Sequence, residues 1–460
     1  MPGRMGEVGC ARRCRFRARP VLLLPLAFLA FAMLAGNVHA QTGAQPVFGD
    51  SGWVAPIPVT DTLALKHAPD VRVGKKDHEP VGETILRTPF RILFLPLRVV
   101  GYGLEGAAGL AGPAFMGKIP KGIPLWKLVV GPAITYSGSA GLGLGTSQYM
   151  FVDRDRDAVF SFAETWSTKD HRRVRGRLDI SRGDRVGFSL TGSYGFRPNY
   201  AFYGLGNSSQ ITDKSIYLQE FGDVRATTYI GGRLTRQLRL SVGYNSMSAR
   251  IGYNGSPGAL DVFTPEQFPF LLRGSRSWSF GAGGDYAILD DARDPSRGVH
   301  GRAEVQKFNA VDESGVDYLY SYLEARFYVP VWSKRRVLAF RAVHQATDPA
   351  ADVPGVPFYR QPETTDMTRF AAYAAHRFAD EQLLLGHAEY RWIVMDRLWM
   401  FALAQVGEVQ STRSRFRWAD VHESYGGGFR YAITERAIIR AQLAGGAEGL
   451  KLIIDLKDDF

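Results

Sequence analysis

The chain has 460 residues, of which 51 are glycine and 12% are aromatic, and its mean hydropathy is −0.14. This length fits two soluble domains or one large barrel, and the modest hydropathy argues against a protein with many membrane-spanning helices. The net charge of +11 is mild for the length and gives no case for nucleic-acid binding.

Residues 1–40 have the composition of a secretory signal peptide. A basic stretch from Arg12 to Arg19 precedes an apolar core from Val21 to Leu34, and Val38-His39-Ala40 is a small-x-small cleavage site. We expect the mature protein to begin at Gln41; a retained anchor helix is the alternative interpretation.

Removal of this segment has two consequences for the mature chain. Both cysteines, Cys10 and Cys14, would be lost, which excludes disulfides, thiolate metal sites and cysteine nucleophiles. The segment carries six arginines and one glutamate, a net +5, so the mature charge would be about +6.

Residues 41–126 lack the alternation of strands. Residues 41–82 are rich in Pro, Gly and Asp and predict an extended periplasmic arm. Between Glu83 and Ala111 apolar residues recur near helical spacing, interrupted by Pro89 and Pro96. This pattern predicts a kinked amphipathic helix at the membrane surface or against a barrel mouth, with a second soluble core helix as the alternative.

From Leu128 onward apolar and polar residues alternate, which is the period of a β-strand. Charges recur on one face of strand after strand, which suits a wet interior better than a dry core, because a charge turned to lipid at mid-membrane costs about 2–4 kcal/mol. Two segments show the pattern: Trp278, Phe280, Ala282, Tyr286 and Ile288 against Ser277, Ser279 and Asp285, and Leu319, Leu323, Phe327 and Val329 against Tyr318, Tyr320, Glu324 and Arg326.

The last twelve residues, 449–460, give the clearest strand. Leu450, Leu452, Ile454 and Leu456 recur at every second position, charged residues fill the places between them, and Ile453 is the one apolar exception. The segment ends on Phe460. Apolar residues toward lipid and an aromatic residue at the interface are typical of a strand that closes a membrane barrel. An ordinary half-buried C-terminal strand is the alternative.

The connections between strands also alternate in length. Short turns are predicted near 153–157, 182–185, 231–235, 290–297, 331–335, 395–397 and 433–435, and longer links near 168–172, 197–213, 253–272, 310–316, 348–380 and 409–420. Short periplasmic turns and long external loops characterise outer-membrane barrels. Counting back from the terminus predicts an all-β, transmembrane antiparallel barrel of about sixteen strands over residues 127–460.

Three stretches resemble the bacterial surface antigen family, which includes the BamA and TamA barrels and the two-partner secretion transporters. The turn with Asp291, Arg293, Asp294, Pro295 and Gly298 is similar to its periplasmic turn signature. The other two stretches are the segment from Gly386 to Arg391 and the last hairpins, from Tyr425 to Tyr431 and on to Phe460. The resemblance implies a sixteen-stranded barrel, in agreement with the count.

The chain departs from this family in two respects. Residues 41–126 do not look like the repeat domains that the family carries before its barrel. In the sixth loop, where the resemblance implies an arginine held by a carboxylate on the wall, this chain has Ala371-Ala372-Tyr373, and the carboxylate position, two before Gly407, is Gln405. Both partners are therefore absent together, which avoids a lone interior charge.

With that pair absent, we expect weaker contacts to hold the sixth loop. The candidate groups are Tyr373, His376 and Arg377, facing Gln405, Glu389 or other interior residues. Glu389 and Arg391 lie on the same face of one strand. We interpret them as a structural ion pair that braces the wall, with a gating role as the alternative.

Motifs for chemistry are weak. Asp153, Asp155, Asp157 and Glu164 imitate a calcium loop, but Ala158 stands where glycine is required. No Gly-x-Ser-x-Gly occurs, and the strand histidines His300, His344, His387 and His422 have no assignable partners by spacing. We therefore predict no enzyme, no cofactor and no metal.

The sequence thus predicts a Gram-negative outer-membrane barrel that acts in outer-membrane assembly, translocation or lipid contact. Expected partners are outer-membrane lipid and lipopolysaccharide, the barrel assembly machinery during biogenesis, and a protein client of unknown identity, but no nucleic acid. The alternatives are a passive or plugged pore and an outer-membrane lipid hydrolase.

Overall fold

The structure, a computed structural model, describes residues 128–455 except for short internal gaps at 138–139, 152–157, 183–185, 231–235, 252–257, 266, 269–273, 292–293, 312–314, 351–354, 365–369, 396, 412–416, 418–419 and 433–437. The predicted signal peptide, the predicted arm and helix, the three aspartates of the calcium-like segment, Arg293 and Phe460 lie outside these residues. For the part described, the chain is built almost wholly of strands.

The sixteen strands are β1 Leu128–Ser137, β2 Gly141–Phe151, β3 Ala158–Ser167, β4 Arg172–Arg182, β5 Val186–Phe202, β6 Ser215–Ile230, β7 Arg236–Ile251, β8 Ser275–Leu289, β9 Gly298–Ala310, β10 Tyr318–Val331, β11 Ser333–Pro349, β12 Gln382–Met395, β13 Leu398–Gln410, β14 His422–Ala432, β15 Ile438–Gly446 and β16 Gly449–Asp455. One helical turn, α1, spans Ala259–Val262, and two 3-10 turns span Ile211–Asp213 and Phe358–Arg360.

The strands form a single sheet in chain order, each antiparallel to the next. The first hairpin pairs Ser137 with Gly141, and the last pairs Gly446 with Gly449. The all-β antiparallel prediction is confirmed. Among the described residues the pairings run from β1 to β16 without one that joins β16 back to β1, so the predicted closure of the sheet stays a proposal.

The two faces of the sheet differ in chemistry. On β8, Trp278 and Phe280 are exposed, whereas Ser277 and Ser279 are buried. We call the face with buried side chains the inner face and the other the outer face. The outer face carries large exposed apolar side chains, as the alternation predicts: Leu142, Leu144, Phe160, Trp166, Ile180, Phe188, Leu190, Val224, Leu240, Val242, Ile288, Leu443, Leu450, Leu452 and Ile454.

The links between strands follow the predicted alternation only in part. The link 290–297, predicted short, has eight residues, whereas the link 311–317, predicted long, has seven. The clearest departure is at 168–172. There the structure has only a four-residue turn between β3 and β4, with Asp170 at φ +59° and the Ser167 N–H donating to the His171 carbonyl at 2.9 Å. The polar residues Thr168, Lys169 and Asp170 suggested a loop. They lie instead in a tight hairpin, because an aspartate tolerates the left-handed backbone that the turn requires.

None of the described helices is long and apolar enough to cross a membrane. No group of three or more His, Cys, Asp or Glu side chains in the described part of the chain could hold a metal ion.

Candidate functional site

The link between β11 and β12, residues 350–381, is the sixth loop. Its described segments, 355–364 and 370–381, fold back onto the inner face of the sheet. It is tied to itself by bonds from Thr364 N–H to the Phe378 carbonyl (2.9 Å) and from His376 N–H to the Thr364 carbonyl (2.7 Å). Its apolar side chains join one buried cluster with strand residues: Val343, Phe370, Ala371, Ala372, Tyr373, Phe378, Leu383, Leu385, Phe401, Leu403, Val409, Ala444 and Ile453. The loop is therefore packed as a core element.

The tip of the described loop rests on β13 and β14. The Ala371 N–H donates to Gln405 Oε1 at 2.7 Å, and the Ala372 N–H donates to Ser424 Oγ at 3.0 Å. Phe370 packs over Gly407, where an added Cβ would lie 2.4 Å from the Phe370 ring. The two positions that depart from the family pattern, 371 and 405, thus face each other through a neutral hydrogen bond.

Tyr373 connects the loop to the last hairpin. Its carbonyl accepts from Lys451 Nζ at 2.6 Å, and its hydroxyl accepts from the Ala447 N–H at 3.4 Å. Ile453 of β16 lies in the same apolar cluster. The apolar exception in the terminal strand therefore has a structural reason, because Ile453 packs against the sixth loop rather than facing water.

Arg377 is the charged anchor of the loop. Its Nε donates to Glu448 Oε1 at 2.5 Å, and its other nitrogens donate to Ser209 Oγ (2.8 Å) and the Ser209 carbonyl (2.6 Å). The guanidinium also lies 4.6 Å from the Phe378 ring. The loop is thus not held by weak contacts alone: an arginine–carboxylate pair exists, but between residues other than those the resemblance implies.

On the opposite side the loop contacts β5. The Tyr200 hydroxyl donates to Glu363 Oε1 and lies 2.9 Å from His376 Nδ1, and His376 has φ +61°. Next to them lies a second buried cluster, made of Tyr200, Phe202, Tyr217, Phe221, Ala259, Phe358 and Tyr359. The loop therefore contacts both an early strand, β5, and the late strands β13, β14 and β16.

Two carboxyl groups at the end of the loop have raised pKa values. Burial raises the pKa of Asp380 to about 6, although the Glu381 N–H donates to its carboxylate at 2.8 Å. Burial, together with the negative charges of Asp380 and Asp348, raises the pKa of Glu381 to about 7. The loop therefore ends in a pair of acids that change charge near neutral pH.

Beyond the loop, the inner face carries paired charges. Glu389 accepts from Arg391 Nε (2.7 Å) and from Arg440 on β15 (2.6 Å). On β10 and β11, Glu324 accepts from Arg341 at 2.5 Å and from Arg326 at 2.9 Å. Glu389 is thus not the partner of the sixth loop. These pairs brace neighbouring strands, since each carboxylate joins arginines that would otherwise be buried without a counter-charge.

At the other end of the sheet, the turn between β8 and β9 reaches β12, β13 and β14. The Trp399 indole N–H donates to Asp294 Oδ2 at 3.0 Å, and Arg430 and Arg391 lie 3.7 and 4.0 Å from Asp294 Oδ1. Asp291 supports the turn by accepting from the Asp294 N–H at 3.2 Å.

Two other residues of the same motif fix the backbone. Pro295 is buried, and Gly298 has φ +129°, where a Cβ would lie 2.0 Å from the Ile288 carbonyl oxygen. The motif residues that the structure describes therefore work as one unit, a turn that places the Asp294 carboxylate beside strands remote in sequence.

The sequence did not identify Glu448, Ser209, Trp399 or Arg430 as site residues. Glu448 lies in a two-residue turn and Ser209 in the link between β5 and β6, where no periodicity operates. For Trp399 and Arg430 the alternation of the strands could have indicated a position on the inner face, because both occupy the positions whose side chains point inward. The polar groups of the inner face hold loops in position. For example, His422 Nε2 lies 3.0 Å from the backbone carbonyl oxygen of Asn207, in the link between β5 and β6.

Comparisons with known proteins address the fold. No family model and no curated protein matches the sequence. The structure is similar to BamA from Haemophilus ducreyi lacking POTRA domains 1–3, with a TM-score of 0.56 and 12% identity over 71% of this chain and 70% of that one.

Two CdiB structures are also similar. CdiB from Escherichia coli gives a TM-score of 0.46 at 10% identity over 72% of this chain, and CdiB from Acinetobacter baumannii 0.44 at 7% over 72%. The chain spans 62% and 59% of those two proteins. At 12% identity the BamA likeness concerns the fold alone, and that fold is the kind that the resemblance to the surface antigen family implies.

Proposed function

We propose that the protein is an integral outer-membrane β-barrel that acts in membrane assembly, translocation or lipid contact and carries out no chemistry of its own. An outer face of exposed Leu, Ile, Val and Phe and an inner face of paired charges support insertion in a bilayer. The BamA-like fold supports the same conclusion. In this proposal β16 pairs with β1, the short turns face the periplasm and the sixth loop lies at the external end.

The single observation that carries the role is the attachment of the sixth loop to the last strands. Gln405, Ser424, Glu448 and Lys451 contact it from β13, β14, the last turn and β16. These strands precede the seam at which the barrel would close. Because the same loop holds all of them, movement of the loop and opening of the seam are coupled, and a client or lipid that enters at the seam would displace both.

The interior contents bear on the alternative of a pore. The sixth loop contacts the inner side of β5 and of β12–β16, and the Glu389 and Glu324 ion pairs and the Asp294 turn lie against the inner side of β10–β15. This favours a plugged barrel over a passive open pore. We keep the plugged pore as the second candidate function.

The role is tested by photo-crosslinking in the native membrane. A crosslinking amino acid at Leu452, on the outer face of β16, should capture protein adducts, whereas the same residue at Phe280, on the outer face of β8, should capture lipid only. Protein adducts at neither site, or equally at both, would contradict a role in assembly or translocation at the seam.

Conductance distinguishes the plugged pore. In planar bilayers the wild type should show little current, and a variant with Phe370→Ala and Arg377→Ala should conduct because two anchors of the loop are removed. Val262→Ala, on the exposed α1, is the matched control. A large steady current from the wild type would favour the passive pore.

A further inference from the structure

The outer face of β10–β12 carries a cluster of aromatic and basic residues at the turn end, opposite the sixth loop. Arg336 of β11 pairs in register with Trp392 of β12, and its neighbour Val337 points inward and is buried. The Arg336 guanidinium carbon lies 5.5 Å from the centre of the Trp332 ring and 5.0 Å from that of Trp392. Its NH1 donates to the Tyr390 hydroxyl at 3.2 Å.

Trp332 is unusual in two ways. It is 83% exposed, and its backbone has φ +62°, a conformation that is unfavourable for a bulky side chain. In water, both the exposed indole ring and the left-handed backbone of Trp332 are energetically unfavourable. At a membrane interface the indole ring would be partly covered, since tryptophan is enriched where headgroups meet acyl chains.

Charge at this position also indicates the interface. An arginine on a lipid-facing surface is strongly unfavourable at the bilayer midplane but close to neutral near the headgroups. Arg336 follows Lys334 and Arg335, and no acidic residue occurs between Leu319 and Asp348 other than Glu324. Glu324 lies on the inner face, bonded to Arg341 and Arg326. Arg335 shares the inward parity of Val337, so the outer-face charges of β11 at this turn are those of Lys334 and Arg336, both basic.

From these observations we infer that Trp332, Arg336, Tyr390 and Trp392 form a binding site for the phosphodiester headgroup of an anionic phospholipid in the adjacent leaflet. The planar guanidinium suits a phosphate, to which it donates two parallel hydrogen bonds. The two indole rings hold the guanidinium and pack against the glycerol and first methylenes of the lipid. The inference rests on the proposed membrane insertion and adds a ligand class and a location to it.

The test is lipid retention measured by native mass spectrometry of the full mature protein in detergent. The probes are phosphatidylglycerol, phosphatidylcholine and inorganic phosphate. The wild type should retain phosphatidylglycerol over phosphatidylcholine, and Arg336→Gln should reduce that retention about tenfold or more, because at least one of the two charge-assisted hydrogen bonds is lost. Lys169→Gln, which removes a charge from an exposed turn at the other end of the sheet, should leave retention unchanged.

Two further variants separate binding from folding. Arg336→Lys keeps the charge but loses the planar fork, so it should restore only part of the retention. Trp332→Ala removes an exposed ring and should also weaken retention without affecting the fold.

Three results would overturn the inference: equal retention of both lipids by the wild type, full retention by Arg336→Gln, or displacement of the lipid by inorganic phosphate at equal concentration, which would indicate a free-anion site. A protein that fails to insert into vesicles at all would instead contradict the proposed membrane location, so the two failures are distinguishable.

Discussion

At the scale of single residues, Gly407 decides whether the sixth loop can rest on the wall. A Cβ there would lie 2.5 Å from the Leu384 carbonyl oxygen, which belongs to the paired strand and cannot withdraw, and 2.4 Å from the Phe370 ring. We predict that Gly407→Ala destabilises the protein by about 1–3 kcal/mol, the usual cost of overpacking. It should also expose the loop to protease, which limited proteolysis would detect.

Gly192→Ala on β5 is the matched control, because nothing lies within 4 Å of a Cβ at that position. It should be close to neutral in stability and leave the protease sensitivity of the loop unchanged. If both variants loosened the loop equally, the contact between Phe370 and Gly407 would not be what holds it.

Asp380 and Glu381 make the loop sensitive to pH. Their folded pKa values of about 6 and about 7 lie above the usual values near 4. The folded state therefore binds these protons more tightly than the unfolded state does, and stability falls as the pH rises from about 4 through 7. We predict a higher unfolding temperature at pH 5.5 than at pH 8.

The variant with Asp380→Asn and Glu381→Gln should lose this difference. Its advantage in stability over the wild type should be larger at pH 8 than at pH 5.5 and vanish near pH 4, as thermal unfolding at the three pH values would report. Parallel behaviour of the two proteins would assign the pH effect to other groups.

The contacts of a single residue could be predicted from the sequence only where a motif fixed its position in the fold. The family resemblance, aligned on Arg377-Phe378 and Glu389-Tyr390-Arg391, implied that positions 371 and 405 face each other, and the structure joins them by a hydrogen bond. Glu448 and Ser209, the partners of Arg377, could not be found this way. Their contacts depend on how three loops meet in space, which no local pattern encodes.

At the scale of elements, the two faces of the terminal strand β16 lie in different environments. Leu452 is 66% exposed on the outer face, whereas Ile453 is 7% exposed in the cluster of the sixth loop. We predict that Ile453→Ala costs about 2–5 kcal/mol, as for a buried aliphatic side chain, and loosens the loop. Urea unfolding of vesicle-inserted protein and proteolysis of the loop would measure these two effects.

Substitutions at the neighbouring Ile454, on the outer face, should affect insertion in lipid rather than the packing of the sixth loop. Ile454→Ala keeps an apolar outer face and should be mild. Ile454→Arg places a charge toward lipid and should cost about 2–4 kcal/mol near mid-membrane while leaving the loop protected. Equal loosening of the loop by substitutions at 453 and 454 would mean that the faces of β16 are assigned wrongly.

Strands were more predictable than the links between them. The two-residue period indicates a strand wherever one face differs from the other, and it predicted sixteen. Link length is harder, because a polar run such as Thr168 to Asp170 is compatible with a long loop or with a tight turn. Only the left-handed backbone of Asp170 distinguishes them, and that conformation is not visible in composition.

At the scale of the whole sheet, the inner face is filled unevenly. On β2, β3 and β8 the buried residues are mostly small, among them Gly143, Ser161, Thr165, Ser275, Ser277 and Ser279. β5 and β6 add large ones, such as Tyr200, Phe202, Tyr217 and Phe221. From β10 to β15 they are large or charged: Tyr320, Glu324, Arg341, Glu389, Arg391, Arg430 and Arg440. The ion pairs therefore brace the half that precedes the proposed seam, whereas the sixth loop contacts both that half and Tyr200 of β5.

Closure of the sheet is the property on which this interpretation depends. An open sheet leaves the edges of β1 and β16 with unpaired N–H and carbonyl groups, each of which costs several kcal/mol in lipid. We therefore predict that β16 pairs with β1 in the membrane. The folded protein should then resist detergent until boiled, so heated and unheated samples should migrate differently on a gel.

A direct measurement uses cysteine pairs, which the predicted mature chain permits because both native cysteines precede Gln41. One cysteine replaces Ala133 on β1 and the second is moved along β16 from 450 to 454. Pairing in one register brings some of these pairs within disulfide distance and leaves others apart, so oxidation should cross-link a subset only. The pair formed by Ala133→Cys and Phe280→Cys, on β8, should not cross-link. Absence of cross-links at every position of β16, together with identical mobility of heated and unheated protein, would mean that the sixteen strands remain an open sheet, and the proposed barrel would fall with it.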